Sequence, residues 1–274
     1  YKGLPITSIG DKAFANSYVS SIKLGDNIKS IGNSAFKNCS RLTAITLNEG
    51  LTEIGDHAFQ SCSSLEKIEM PETLLTLGEY AFSYCTALKS VELNGGCKKI
   101  SGNAFADCRS IETLEIPSGV KEIGEYAFSG NKNLAAVVLP EGIEKIEEGA
   151  FYECAALKQI TVPGSVVAIG AMAFMNAAAL EKVTIENGVK SIGVQCFYGC
   201  AALDSVTLPQ TIENIDEYAF DKTAVKDSAQ GVAYIGGWAV GNNDINAAEI
   251  TVREGTAGVA DLAFRELPSV GKVT

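Results

Sequence analysis

Cysteine is the residue type in this sequence with the widest choice of chemistry, because a thiol can pair in a disulfide, bind a metal or act as a nucleophile. The chain has eight cysteines in 274 residues. Six of them lie three residues after a phenylalanine: Cys39, Cys62, Cys85, Cys108, Cys154 and Cys200. Other repeats place Ser17, Asn131, Ala177 or Thr223 in the same slot. This interchange favours a column of small, buried free thiols, and stacked disulfides are the alternative that remains open.

The sequence offers these thiols no partner residues for metal binding or for nucleophilic catalysis. Cys196 and Cys200 form a C-x-x-x-C pair, but no second pair and no nearby histidine completes a zinc site. His57 is the only histidine, and other repeats fill its slot with Tyr80 or Tyr126, which is typical of a variable surface position. No phosphate-binding loop and no H-E-x-x-H motif is present. We therefore expect neither a metal nor a cofactor.

Carboxylates are abundant, with 33 acidic residues against 22 basic ones and a net charge of -11. Paired carboxylates can hydrolyse glycosides, but in a repeating chain any two acidic residues one period apart become neighbours. A glycan-active enzyme is therefore the less favoured alternative. The acidic balance predicts no nucleic-acid partner, because phosphates require Lys and Arg. Residues 168–180, the most apolar stretch, are too few to span a membrane, so we expect no membrane insertion.

A repeat of 23 residues must position all of these groups. The eleven phenylalanines share one register, with a first interval of 22 residues, eight of 23 and a last of 44. They are Phe14, Phe36, Phe59, Phe82, Phe105, Phe128, Phe151, Phe174, Phe197, Phe220 and Phe264. Around each of them the chain follows the pattern I-x-x-I-G-x-x-A-F-x-x-C-x-x-L-x-x-I-x-L-P. A residue type confined to one slot indicates a structural role.

The slots of this pattern predict a repeat solenoid of the leucine-rich-repeat type. The alternation in L-x-x-I-x-L predicts a short strand with one buried face, which the following proline can end. The spacing around Ala-Phe predicts about one turn of 3₁₀ or α-helix. A single unit cannot bury its apolar side alone, whereas stacked units bury a continuous column. We therefore predict eleven rungs in a continuous parallel β-sheet about 50 Å long.

The period breaks once, between Phe220 and Phe264. Ile250 and Val252 precede Phe264 by 14 and 12 residues, as in the regular repeats, so the register resumes after an insertion. Apolar alternation on both sides of Gly236 and Gly237 predicts a two-residue hairpin within the insertion. We thus predict one solenoid over 1–274, with regular repeats in 1–225, an insertion in 226–249 with a hairpin at 232–240, and a resumed, truncated repeat in 250–274. Both ends suggest a piece cut from a longer protein.

The outward side of the predicted strands is free of packing requirements and is the candidate site of recognition. Three glutamates stack there on consecutive rungs beside two lysines, and stacked carboxylates repel. The lysines offset this field, or a cation binds there; a merely solvated face is the favoured interpretation, since charged strands also suppress aggregation. The hairpin adds the only tryptophan, a type enriched at interface hot spots. The candidate partner-binding residues are Lys67, Glu69, Lys89, Glu92, Glu115 and Trp238.

The pattern resembles the BspA-like leucine-rich repeats, found in surface proteins of anaerobic and host-associated bacteria and of some parasitic protists. The resemblance rests on Ala-Phe pairs such as Ala81-Phe82 and on Ile-Gly pairs such as Ile54-Gly55. It covers nearly the whole chain, although Cys196 replaces the alanine once. The resemblance implies an extracellular or cell-surface, adhesin-like scaffold that binds a protein or glycan and has no catalytic residues. A structural spacer in a larger surface protein is the alternative.

Overall fold

The computed structural model describes residues 5–227 and 231–274, which form a parallel β-solenoid with almost no helix. The predicted solenoid class is confirmed, but each regular repeat contributes two short strands where the sequence predicted one. The first set, the face strands, comprises β2 (Ser21–Lys23), β4 (Ala44–Thr46), β6 (Lys67–Glu69), β8 (Ser90–Glu92), β10 (Thr113–Glu115), β12 (Ala136–Val138), β14 (Gln159–Val162), β16 (Lys182–Ile185), β18 (Ser205–Thr207) and β22 (Glu249–Ile250). A last short strand, β24 (Lys272–Val273), pairs with β22.

The second set, the corner strands, ends where the repeat reads Ile-Gly. It comprises β1 (Ser8–Ile9), β3 (Ser30–Ile31), β5 (Glu53–Ile54), β7 (Thr76–Leu77), β9 (Lys99–Ile100), β11 (Glu122–Ile123), β13 (Lys145–Ile146), β15 (Ala168–Ile169), β17 (Ser191–Ile192), β19 (Asn214–Ile215) and β23 (Gly258–Val259). Successive rungs pair in parallel one repeat apart, so Ile123 lies opposite Ile100 and Ile146.

The two sets differ in continuity. The corner strands form ladders of four strands, β1 to β7, and of six, β9 to β19. The face strands are interrupted between β4 and β6, between β8 and β10, and between β12 and β14. Glycine allows the close approach of successive corners, because a methyl group on Gly78 would lie 2.4 Å from the carbonyl carbon of Gly55. The sheet is therefore most continuous where side chains are absent.

The turn around each phenylalanine is built from left-handed residues and is not the helical turn that the spacing predicted. The residues two before and two after every Phe have φ between 54° and 72°. These 22 positions comprise 19 non-glycine residues together with Gly130, Gly149 and Gly199. A left-handed residue cannot continue a right-handed helix. The chain therefore makes a sequence of tight turns that bends around the ring.

Left-handed residues divide the backbone donors of this turn into two sets. In the rung of Phe59, one set of N–H groups bonds within the turn, from Ala58, Gln60 and Cys62 to the carbonyl three residues earlier. The alternate set crosses to the next rung at 2.7 to 2.8 Å, from His57, Phe59 and Ser61 to the carbonyls of Glu79, Ala81 and Ser83. Every amide of the turn is thus satisfied without helix or strand, as buried backbone requires.

The core is a column of stacked phenylalanine rings. Consecutive rings from Phe14 to Phe220 lie 4.9 to 5.6 Å apart with interplanar angles of 4° to 14°. The rings from Phe36 to Phe197 are fully buried, whereas Phe14 at the end of the column is 41% exposed. Phe264 is half-buried and, among the described residues, has no ring stacked on it. The single column predicted for all eleven rings therefore holds for ten.

All eight cysteines are buried free thiols. In the slot after Phe, the thiol donates to the phenylalanine carbonyl of the preceding rung, as in Cys62 to Phe36 at 3.2 Å and Cys154 to Phe128 at 3.3 Å. Asn131 in this slot reaches the same carbonyl with its amide. Cys and Asn fill the slot as small buried donors, whereas Ala177 fills it without one, and burial raises the pKa of the Cys200 thiol to about 12.

The insertion supplies a short helix and an antiparallel hairpin. The helix α1 (Ala224–Asp227) precedes β20 (Val232–Ile235) and β21 (Trp238–Asn242), which meet at Gly236 and Gly237. Strand β21 also pairs in parallel with β23, placing Trp238 opposite Gly258. The hairpin therefore occupies the place of a corner strand, and the last repeat stacks on it.

Replacing Phe128 with Ala should lower the free energy of unfolding by about 3 to 5 kcal/mol, because it removes a fully buried ring with a stacked neighbour on each side. Denaturant unfolding followed by circular dichroism measures the loss. Phe14 is the matched control, since it is part-exposed and stacks on one ring only. An equal loss in both variants would contradict the column as the source of stability.

Thiol titration of denatured, non-reduced protein should give eight equivalents, because all eight thiols are free. The folded protein should react far more slowly at pH 8, since all eight thiols are buried and a reagent in solution cannot reach them. A result near zero, which four disulfides would produce, would overturn the thiol column.

Candidate functional site: the face strands

Each face strand turns its second residue toward the core, where it is buried or half-buried, and the flanking residues point outward. In β6, for example, Ile68 is buried while Lys67 and Glu69 are exposed. Inward residues are fixed by the core, so the outward residues of successive rungs form two columns whose identity is free to vary. These columns compose the surface that the sequence marked for recognition.

Two of the predicted glutamates face each other across a ladder, with a lysine between them. Glu69 pairs with Glu92 in register, which would place two carboxylates in repulsion. Lys67 Nζ contacts Glu69 Oε1 and lies 3.0 Å from Glu92 Oε1. Hydrogen bonds to Glu69 and Glu92 raise the pKa of Lys67. All three groups are more than half exposed, so the arrangement contributes charge pattern more than stability.

The structure separates the other two predicted members of this cluster. Lys89 lies one residue before β8, in the same column as Glu66, and its Nζ is 3.4 Å from Glu66 Oε2. The sequence suggested that Lys89 offsets the charge of Glu69 and Glu92, but in the structure Lys89 pairs with Glu66 instead. Glu115 lies on β10, opposite the exposed Val138 of β12. The break between β8 and β10 falls between Glu92 and Glu115.

A depression of about 510 Å³ is lined in part by Lys67, and we call this depression the acidic groove. It opens where β4 and β6 are not paired, and its lining includes Leu47, Glu49, Glu66, Glu69, Met70, Glu92 and Asn94. A second depression, of about 250 Å³, lies further along the face and is lined by uncharged groups and one lysine. It includes Val138, Thr161, Lys182 and Thr184. The face thus changes from acidic to nearly neutral along the solenoid.

Trp238, one of the candidate partner-binding residues, is buried in the structure. Its side chain is only 7% exposed. The indole covers Gly258, where an added methyl group would lie 2.6 Å from the ring. Because β21 replaces a corner strand, its apolar residues are needed to close the core, and Trp238 fills that role.

A half-buried ion cluster around Asp221 is not predicted by the sequence. Asp221 contacts Lys226 of α1 and accepts a hydrogen bond of 2.8 Å from Arg265 of the last repeat, and Arg265 also lies 3.9 Å above the ring of Tyr218. Burial raises the pKa of Asp221, but hydrogen bonds from Lys226 and Arg265 outweigh it and lower the pKa. The cluster ties rung ten, the insertion and the last repeat together. No repeat signal marks it, since its members lie in different slots.

The remaining candidates for chemistry do not assemble into a site. The ring of His57 stacks on Tyr80 with 5.0 Å between centroids. Across residues 5–227 and 231–274, no three side chains of His, Cys, Asp or Glu are grouped so that they could hold a metal ion. In the same ranges, no helix has the length and apolar character needed to cross a membrane.

Comparison with solved structures identifies proteins with the same fold. The chain is similar to a leucine-rich repeat protein from Bacteroides ovatus, with 23% identity, a TM-score of 0.63 and coverage of 100% of this chain and 80% of that chain. It is also similar to the pneumococcal vaccine antigen PcpA, with 21% identity, a TM-score of 0.59 and coverage of 98% and 67%. A comparison with curated proteins found no match.

The family assignment comes from the repeats themselves. The model of the BspA-type leucine-rich repeat region, in six copies, matches residues 7–135 and 121–246. These ranges contain ten of the eleven phenylalanine turns, all but that of Phe264. The chain therefore belongs to the BspA-type leucine-rich repeat family.

Proposed function

We propose that this chain is a non-enzymatic scaffold whose face strands bind a protein or glycan partner outside the cell or at a cell surface. The proposal rests on the difference between the inward and outward residues of each face strand. Buried positions repeat from rung to rung, whereas the outward columns change from Lys67, Glu69 and Glu92 to Val138 and Thr184. Extended faces of this kind are what repeat proteins commonly offer to partners. The family resemblance supports the surface location.

Catalysis is disfavoured by the exposure of the carboxylates. A general acid in glycoside hydrolysis needs a protected setting that raises its pKa. Glu69 and Glu92 are 62% and 56% exposed, and both contact the ammonium of Lys67, so neither lies in a protected setting. The groove is therefore better suited to binding charge than to donating a proton. The spacer alternative lacks such support, because a spacer has no need of a graded face.

Changing Glu69, Glu92 and Glu115 together to Gln should slow association with a captured partner and weaken its dependence on salt, because exposed charges act mainly on the encounter rate. The chain would serve as immobilised bait for extracts of bacterial and host surfaces, and surface plasmon resonance would compare the variant with the parent. The matched control is Glu122→Gln on the corner strands, where Glu122 lies between Lys99 and Lys145. The face assignment is wrong if the control and the triple variant alter the on-rate equally, or if neither does.

A further inference from the structure

We infer that the acidic groove receives an arginine side chain presented by a protein partner, which displaces Lys67 from Glu69 and Glu92. This inference rests on the proposed function and names the chemistry of the partner. It concerns an unpartnered stretch of the sheet face, lined by residues from β4, β6 and β8, whose shape, charge and internal contact all favour the same occupant.

The shape of the groove comes from the interruption of the face ladder. Strands β4 and β6 are adjacent rungs that are not paired, while β6 pairs with β8. The opening of about 510 Å³ is mostly polar, and its lining combines exposed carboxylates with the half-buried Leu47 and the buried Met70 and Pro71. An aliphatic stem that ends in a charged head matches such a lining, because Lys and Arg bury their stems and keep their heads in polar surroundings.

The charge of the groove selects a cation. Its lining contains four carboxylates, Glu49, Glu66, Glu69 and Glu92, against the ammonium of Lys67; counting also Lys89, which pairs with Glu66 from outside the lining, the net charge is -2 (-4 + 2). An anionic glycan or a nucleic acid would be repelled, and a neutral glycan would gain nothing from this field. None of the described residues that line the groove is aromatic, so a sugar ring finds no stacking surface there. Charge complementarity therefore favours a basic polypeptide.

Lys67 shows that the two carboxylates are spaced to share one cation. Its ammonium contacts Glu69 and lies 3.0 Å from Glu92. The side chain is 51% exposed, so it can leave without opening the core. A guanidinium has five donors in a planar fork and can make two parallel hydrogen bonds to one carboxylate, which an ammonium cannot do. Arginine is thus the side chain best able to replace Lys67.

Lys67 therefore competes with the incoming arginine for Glu69 and Glu92. Removing it is expected to strengthen binding of the arginine, not to weaken it. Lys67→Ala leaves Glu69 and Glu92 without compensation and should tighten binding of an arginine peptide by about two- to fivefold, the equivalent of one exposed ion pair. Glu92→Gln removes one carboxylate and should weaken binding by about tenfold. If Lys67 instead contacted the ligand directly, Lys67→Ala would weaken binding.

The test is an NMR titration of the full chain with the peptide Gly-Thr-Arg-Thr-Val-Gly. The matched ligand carries citrulline, which has nearly the shape of arginine but no charge. The expected result is shifts confined to residues 43–49, 66–71 and 92–94, binding weakened about tenfold by citrulline, and opposite effects of Lys67→Ala and Glu92→Gln. The control Glu122→Gln removes a carboxylate that is also shared by two lysines, but on the corner strands, and should change nothing.

Several outcomes would overturn the inference. They are equal binding of the citrulline peptide, weaker binding to Lys67→Ala, or no shifts in the groove at millimolar peptide. An oligosaccharide that shifts the face strands when the arginine peptide does not would refute the arginine assignment and leave the proposed function standing. A captured partner that binds with full affinity to the triple glutamine variant but contacts another surface would refute both.

Discussion

The turn around each phenylalanine is the constraint on which the rest of the molecule depends. Holding two residues per rung in the left-handed region costs about 2 to 4 kcal/mol when neither is glycine. The turn also places three N–H groups in hydrogen bonds to the next rung, and each bond stabilises the fold by about 0.5 to 1.5 kcal/mol net. Burial of the Phe side chain contributes about 1.5 to 3 kcal/mol more. The hydrogen bonds and the ring burial both require a neighbouring rung. The strained turn is therefore stable only inside a stack, which explains why the pattern repeats so strictly.

The same constraint separates folding from recognition. Ring, thiol and corner glycine are all committed to rung contacts, so little in these slots can vary without loss. The outward residues of the face strands make only exposed contacts between rungs, such as Lys67 with Glu92, and the acidic groove arises where the face ladder is interrupted between β4 and β6. The insertion follows the packing logic as well, because Trp238 and the Asp221 cluster attach the last repeat to the array. The residues free to bind a partner are therefore the outward residues of the face strands.

Periodicity was sufficient to predict the solenoid, the buried slots, the thiol column and the hairpin at Gly236 and Gly237. It missed the left-handed turns, because Tyr84, Met172 and Leu262 are residue types that rarely adopt positive φ and give no local signal. Composition shows that Trp238 is unusual but not which way it points, so its burial could not be predicted. Lys89 and Glu115 were grouped with Glu69 by sequence spacing, whereas the interrupted ladder and the choice of Glu66 as a partner depend on three-dimensional register.

Deleting one whole period tests the central claim, that each rung is stabilised by the match of its phenylalanine turn to its neighbours. Removing residues 129–151 joins Phe128 to Tyr152 and restores the repeat with one rung fewer. Removing residues 129–149 keeps two more residues but places an extra Ala-Phe pair inside the turn. Guanidinium unfolding followed by circular dichroism should show one cooperative transition close to the parent for the 23-residue deletion, and a marked loss of stability and β signal for the 21-residue deletion. Equal stability of the two variants, or a less stable 23-residue deletion, would contradict the account.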